Sequence, residues 1–232
     1  MRKAALFCLV LLALPFAAWA RPPVVVELYT AQGCASCGEA NAHLGKLADR
    51  KGVLALTFPV DYWDYLGWPD TFAKPEFAER QKAYVAKMAL REPYTPQVIV
   101  DGGLQVAGLQ ADKVDKLVAQ AARAPRNPPD IAFVGKHRVD VGSGPVPRGG
   151  AEVWLIRFDP RERDVVVRSG DNRGQTVAHR NVVRQVARLG GWRGRPVAYK
   201  TPPAPEEGLE TAVLLQGAQG GRIIAVGRPA EP

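Results

Sequence analysis

The sequence is poor in cysteine, with three among 232 residues. Cys8 falls in an apolar N-terminal stretch, so the rest of the chain holds only Cys34 and Cys37. Two cysteines allow a single bridge, which excludes the small secreted folds that several disulfides hold together. Any function that depends on thiols must therefore be carried by this one pair.

Long apolar runs and several catalytic motifs are also missing. After residue 20, no apolar run reaches the roughly 20 residues that a membrane-spanning helix needs. The sequence contains no Gly-rich phosphate loop, no serine nucleophile motif and no paired-carboxylate motif. Because no apolar run is long enough, we expect no membrane span in the mature chain. The sequence also lacks a basic patch interleaved with aromatic residues, so we expect no nucleic-acid partner.

The N-terminus has the features of a cleaved signal peptide over residues 1–20. Arg2 and Lys3 precede the apolar residues 4–18, and small residues at 18 and 20 suit a signal peptidase. A membrane anchor is the alternative, but the apolar run is short and two prolines follow it. Cleavage after Ala20 would place the mature protein in the periplasm or outside the cell, where disulfides persist.

The mature chain is basic and long enough for two domains. Arg2 and Lys3 are the only charges in the signal peptide, so removing them lowers the formal net charge from +8 to +6. The basic residues are scattered, which is typical of a solvated surface, and an anionic partner is the alternative. Three prolines within residues 125–129 favour an extended connector between a domain at residues 21–124 and a domain at residues 130–228.

The two predicted domains differ in their patterns. Before the connector, strands and helices alternate in the order β-α-β-α-β-β-α, the order of a thioredoxin-type fold. After it, short runs rich in Val and Ile lie between Gly, Pro, Asn and Asp, which predicts a β-rich, sandwich-like domain. Residues 181–189 fit a helix as well as a strand. The predicted fold class is therefore α/β, with a thioredoxin-like domain followed by a β-rich one.

Cys34 and Cys37 follow the apolar run at residues 24–28 and precede a predicted helix at residues 38–49. A thiolate is the species that attacks a disulfide, and the positive end of a helix dipole favours that anion. We therefore predict that Cys34 attacks and that Cys37, one turn later, resolves the mixed disulfide. A disulfide with a purely structural role is the alternative, although so short a loop contributes little stabilisation.

Two other segments are candidates for the same site. Thr95-Pro96 precedes an apolar strand, and a proline in that context is a candidate for a cis peptide bond. Residues 61–68 place Tyr62, Trp63 and Trp68 at the end of a predicted strand, where α/β sheets collect ligands. This aromatic segment is either a substrate or partner surface beside the thiols or a structural loop that covers the core.

These motifs resemble the glutaredoxin branch of the thioredoxin superfamily. The similar stretches are Tyr-Thr-x-x-Gly-Cys-x-x-Cys and the later Thr-Pro-Gln-Val-x-Val-Asp-Gly. Together with residues 60–68 and 179–183, they are more narrowly similar to a family of secreted, thioredoxin-like bacterial proteins of unknown function. The resemblance implies that Cys34 and Cys37 form a redox pair and that Pro96 is a cis-proline facing it.

The sequence thus predicts an exported thiol–disulfide oxidoreductase that acts on protein or small thiol and disulfide substrates. It implies no cofactor beyond the redox-active disulfide, and Glu27 is the nearest candidate for a buried proton acceptor. The alternative is a binding or assembly module on the same fold, such as a copper or thiol chaperone. His43 makes a poor partner for a metal at the thiols. His137 and His179 are expected to be ordinary surface or core residues, unless the β-rich domain folds back and brings His179 over the thiols.

Overall fold

The structure is a computed structural model that describes residues 22–229. The predicted signal peptide and Cys8 lie outside these residues. The described part is a mixed α/β fold rich in strands, with one large mixed sheet and two smaller sheets. Over residues 22–229, the structure contains no helix of the length and apolar character needed to cross a membrane.

The first half of the described chain has the order of elements that the sequence predicts. A short 3-10 helix at Asp64–Leu66 is the one addition to that order within residues 22–124. The regular elements are β1 (Val24–Thr30), α1 (Cys37–Ala48), β2 (Val53–Pro59), α2 (Pro75–Lys87), β3 (Gln97–Val100), β4 (Leu104–Ala107) and α3 (Ala111–Arg123).

The strands of this half pair in both directions. β1 lies parallel to β2 and antiparallel to β3, and β3 and β4 form an antiparallel hairpin. All seven residues of β1 are buried, as is usual for a strand covered on both faces of a sheet. Side chains of α1 and α3 pack on one face, and side chains of α2 pack on the other.

The second half, over residues 130–229, contains strands as its only regular elements. Within residues 181–189, which fit a helix or a strand, residues 182–189 are extended and belong to β10, and Asn181 precedes the strand with a positive φ of 51°. The strands are β5 (Ile131–Val134), β6 (Arg138–Val141), β7 (Ala151–Asp159), β8 (Arg163–Val166), β9 (Thr176–His179), β10 (Val182–Trp192), β11 (Val197–Lys200), β12 (Glu210–Gly217) and β13 (Ile223–Gly227).

One large sheet runs through both halves, which the expectation of a sandwich-like C-terminal domain did not include. Its strand order is β13-β12-β7-β10-β2-β1-β3-β4. The halves meet where β10 runs parallel to β2 with Val182 opposite Thr57, and the Thr57 N–H donates to the Asn181 carbonyl at 3.0 Å. β10 thereby covers the edge of β2, whose backbone groups would otherwise lack partners. The predicted boundary at residues 124–130 falls between α3 and β5.

The two smaller sheets pack against the large one. The three-stranded sheet β11-β6-β5 packs its apolar face on β7, β12 and β13, with Trp192 buried between the layers. The hairpin of β8 and β9 lies against α1. The second half of the chain therefore folds back onto the helix that begins at Cys37.

Candidate functional site

The two cysteines lie in the turn that joins β1 to α1. The Cys34 N–H donates to the Ala31 carbonyl at 3.1 Å, and the Cys37 N–H donates to the Cys34 carbonyl at 3.0 Å. α1 begins at Cys37, so Cys34 lies in the last turn before the helix. The cysteines form a disulfide, with Cys34 5% exposed and Cys37 fully buried. Ser36 places its Oγ 3.6 Å from Cys34 Sγ.

Pro96 lies beside the helix that carries the disulfide, and its bond to Thr95 is cis. The Gly108 N–H donates to the Pro96 carbonyl at 2.8 Å. A Cβ at Gly108 would come within 2.9 Å of Pro96 Cβ and 3.0 Å of Ala40 Cβ, distances too short for any other residue. Because Ala40 lies one turn beyond Cys37 on α1, this close contact brings the Thr95-Pro96 segment next to the thiol-bearing helix.

The aromatic segment, residues 61–68, connects the cysteine turn to the Thr95-Pro96 segment. Trp63 Nε1 donates to Thr95 Oγ1 at 2.7 Å, and a Cβ at Gly33 would lie 3.9 Å from Trp63 Cβ. Trp68 Nε1 donates to the side chain of Gln32 at 2.9 Å. Trp63, Thr95 and Trp68 are thus gathered around the cysteine turn.

Tyr62 packs against the buried core that contains both cysteines, and its hydroxyl donates to Gln81 Oε1 of α2 at 3.1 Å. The exposed ring of the segment is Tyr65, which stacks on Trp63 with ring centroids 6.4 Å apart. Tyr62, Trp63 and Trp68 each use their polar atom within the protein, as a structural loop would. Tyr65 is the ring that this segment offers to solvent, and the sequence pattern did not single it out.

Gln32 and Asp70 form a polar network beside Cys34 that the motif did not predict. The Gln32 N–H donates to Asp70 Oδ2 at 2.7 Å, and Gln32 Nε2 donates to Thr71 Oγ1 at 2.9 Å. Asp70 also accepts from the backbone N–H groups of Phe72 and Ala73. Burial raises the pKa of Asp70 to about 6, although these three backbone donors oppose the shift.

Asn172 completes the network from the second half of the chain. Its Nδ2 donates to the Gln32 carbonyl at 2.7 Å and to the Cys34 carbonyl at 3.0 Å. The side chain is buried, and it is separated from Cys34 by 138 positions in the sequence. No local pattern in the sequence could have linked Asn172 to the cysteine turn, because the contact exists only through the tertiary fold.

Glu27, the candidate proton acceptor, is occupied by other partners. Arg80 binds both of its carboxylate oxygens, at 2.7 and 3.0 Å. The hydroxyls of Tyr29 and Tyr84 donate to the same carboxylate at 2.9 and 3.0 Å. Among the described residues, no hydrogen bond joins Glu27 to either cysteine. The group is therefore part of a buried ion pair between β1 and α2.

The three histidines do not gather at the thiols. His179 is buried in β9, where its ring packs edge-on against Phe72 and burial lowers its pKa to about 4. His43 Nε2 lies 3.8 Å from Asp115 Oδ1, and His137 is exposed. Across residues 22–229, no group of three or more His, Cys, Asp or Glu side chains is arranged to hold a metal.

Two solved structures are similar to this fold. A structural-genomics crystal structure from Agrobacterium tumefaciens is 31% identical and has a TM-score of 0.71, and the match covers 88% of this chain and 92% of that one. The HBP35 protein of Porphyromonas gingivalis is 12% identical with a TM-score of 0.54, covering 91% of this chain and 78% of that one. The second likeness concerns the fold alone.

No curated protein matches the chain. One family of proteins of unknown function, DUF1223, matches residues 25–216. That match includes the cysteine turn, the Thr95-Pro96 segment, the aromatic segment and Asn172. Since it spans most of the sequence, the chain belongs to the DUF1223 family.

Proposed function

We propose that the protein is an exported thiol–disulfide oxidoreductase in which Cys34 and Cys37 are the redox-active pair. The observation that carries the proposal is the Cys34–Cys37 disulfide at the junction of β1 and α1, with the cis Thr95-Pro96 segment packed beside the same helix. The disulfide also suits an oxidising compartment. A two-residue spacing allows the ring to open and close by exchange.

The proposal includes a thioredoxin-like arrangement for residues 21–124. Its support is the order of elements, with β1 lying between a parallel β2 and an antiparallel β3 and with helices on both faces. The cysteine turn leaves the carboxyl end of β1, the end at which α/β sheets collect their ligands. The β-rich second half extends this sheet rather than standing apart from it.

The oxidised protein reacts through Cys34. A substrate thiolate attacks Cys34 Sγ, the Cys34–Cys37 bond breaks, and Cys37 leaves as a thiolate that takes up a proton. A second substrate thiolate then attacks the substrate sulfur of the mixed disulfide, releasing Cys34 and completing a two-electron oxidation of the substrate. Cys34 is the attacked sulfur because it is the more exposed of the two.

The reverse direction uses the same groups. The Cys34 thiolate attacks a substrate disulfide and expels one substrate thiolate, and Cys37 then attacks Cys34 and expels the other. Because α1 begins at Cys37, the positive end of its dipole lies near Cys34, which favours the Cys34 anion. Pro96, together with Thr95 and Trp63, forms the neighbouring wall against which we place a bound substrate segment.

A trapping variant tests this assignment. In Cys37→Ala, exported with its signal peptide, Cys34 has no resolving partner, so mixed disulfides with substrates should accumulate. They would be seen as adducts on non-reducing gels and located at Cys34 by mass spectrometry. Protein adducts would identify protein substrates, and adducts of a few hundred daltons would identify small thiols.

Cys34→Ala is the matched control, since it keeps one thiol but removes the proposed nucleophile and should trap nothing. A Cys37→Ala protein that is folded and exported, yet carries no adduct on Cys34, would contradict the oxidoreductase proposal. Reduced wild-type protein that retains stoichiometric copper, lost in Cys34→Ser, would instead favour the binding-module alternative.

A further inference from the structure

The loop that connects β8 to β9 reaches over the cysteine turn. Within residues 167–175, here the Asn172 loop, the N–H groups of Val167 and Gly174 donate to the carbonyls of Gln175 and Val167 at 2.9 and 2.8 Å. The Gln175 N–H donates to the Asn172 carbonyl at 2.9 Å. These bonds close the loop on itself, so Asn172 is held by backbone geometry rather than by its side-chain contacts alone.

The Asn172 loop also contacts the aromatic segment. Ser169 Oγ donates to the Gly67 carbonyl at 2.5 Å. Gly170 has a positive φ of 74°, and a Cβ there would lie 3.3 Å from the Leu66 carbonyl oxygen. The loop thus rests on two supports, the aromatic segment through Ser169 and the cysteine turn through Asn172.

The Asn172 amide bridges the two carbonyls that flank Gly33. Asn172 Nδ2 donates hydrogen bonds to the Gln32 carbonyl oxygen at 2.7 Å and to the Cys34 carbonyl oxygen at 3.0 Å. The Cys34 oxygen accepts a second bond from the Cys37 N–H, the first residue of α1. This oxygen is separated from Cys34 Sγ by only four covalent bonds, so its partial charge acts at close range on the sulfur.

We propose that Asn172 is a positioning residue for Cys34, through which the second half of the chain sets the reactivity of the thiol. The inference rests on the proposed function. Donors on a carbonyl oxygen offset its negative charge, and this charge would otherwise disfavour a thiolate nearby. The same two bonds fix the backbone on either side of Gly33 and so hold Cys34 in place for exchange.

Asn172→Asp is the sharpest variant, because it keeps the shape of the side chain while replacing an amide donor with acceptor oxygens. Asn172→Ala removes the donor without adding charge. In the reduced protein, thiolate absorbance should titrate higher by about half to one pH unit in the alanine variant and by more in the aspartate variant. Exchange with oxidised glutathione below that midpoint should slow by about three- to tenfold.

Ser169→Ala is the matched control. It removes a hydrogen bond of the same loop to the aromatic segment, at Gly67, and leaves the cysteine turn untouched. Its thiolate titration should coincide with that of the wild type. If the loop acted only as a mechanical support, all three variants would shift the thiolate midpoint equally, and that result would overturn the inference.

Each outcome decides the inference. Higher thiolate midpoints in both Asn172 variants, with Ser169→Ala unchanged, support it. Folded Asn172 variants that titrate and exchange as the wild type does would overturn it, and so would failure of both variants to fold, which would make Asn172 a structural residue only. Wild-type protein that titrates normally but never exchanges with glutathione or a protein disulfide would count against the proposed function, while the comparison of thiolate midpoints would still test Asn172.

Discussion

The two faces of β1 are buried in different ways. The face toward α1 and α3 is covered by residues of the first half alone. This local core contains Val24, Val26, Leu28, Leu44, Leu47, Val98, Val114 and Val118. The opposite face packs against α2 and against strands that arrive from the second half of the chain. This shared core contains Tyr29, Cys37, Phe58, Phe77, Tyr84, Ile156, Phe158, Val183, Leu214 and Ile223.

The difference shows how the fold supports the site. The disulfide belongs to the shared core, together with apolar side chains of β7, β10, β12 and β13. The buried Glu27–Arg80 pair lies on the same face of β1, and Arg80 also lies over the ring of Trp154 at 5.5 Å. The second half is therefore part of the environment of the thiols, although its residues are far from them in sequence.

Removing the second half should have the largest effect on this arrangement. A chain ending at Pro129 loses one side of the shared core and uncovers the edge of β2, so we expect it to lack a cooperative unfolding transition. Circular dichroism during thermal and urea unfolding would show this. The full chain, unfolded under the same conditions, is the reference.

Cooperative unfolding of the shortened chain would contradict the role given to the second half, since it would mean that the local core suffices to hold the first half together.

Breaking the buried ion pair between Glu27 and Arg80 should destabilise the protein less than removing the second half does. Arg80→Met leaves the Glu27 carboxylate buried without its cation, and such losses lower the free energy of unfolding by about 3–5 kcal/mol. Urea unfolding would measure the change. The double variant Glu27→Leu/Arg80→Met removes both charges and should recover part of the loss. Arg138→Ala, which breaks an exposed pair with Asp140, is the control and should have no measurable effect.

An Arg80→Met protein as stable as the wild type would show that the ion pair is not needed in the shared core.

Two buried titratable groups, Asp70 in the first half and His179 in the second, should have smaller effects on the free energy of unfolding, and these effects should depend on pH with opposite sign. His179 has its pKa lowered from 6.5 to about 4, so between these values the unfolded chain binds more protons than the folded one. Its contribution to stability is present above pH 6.5 and is lost as the pH falls through 4, by up to about 3 kcal/mol. Asp70 has its pKa raised from 3.8 to about 6, so its contribution is present below pH 3.8 and is lost as the pH rises through 6.

Free energies of unfolding measured from pH 4 to pH 7.5 test both signs. Relative to the wild type, His179→Gln should be less sensitive to acid, and Asp70→Asn should gain stability as the pH rises. Parallel pH profiles for the wild type and both variants would show that neither group is held in the protonation state that its burial implies.

Much of the first half could be predicted from the sequence, because its signals are local. The largely apolar run at residues 24–28 predicts β1, and the helical spacing of apolar residues after Cys37 predicts α1, and both elements are present. The Thr95-Pro96 bond is cis, as its position before an apolar strand suggested. Periodicity failed at residues 181–189, where pairing with β7 makes the segment a strand that a helical pattern fitted equally well.

The environment of the candidate site could be predicted only in part. The cysteine pair and the neighbouring Trp63 and Thr95 stand out by residue type and spacing. The sequence makes Glu27 the nearest candidate for a buried proton acceptor, but its carboxylate is bound by Arg80 of α2. Asn172 carries no signal of its own, since an asparagine among glycines and charged residues indicates only a turn.

The strands and helices of the first half and the position of the thiols can be predicted from the sequence, because periodicity and residue spacing act over a few neighbouring residues. Which groups surround those thiols depends on the tertiary fold. It joined β10 to β2, made one sheet of two halves, and brought Asn172 to the Cys34 carbonyl. Such contacts depend on how distant backbone groups and apolar faces find partners, and the linear pattern does not contain that information.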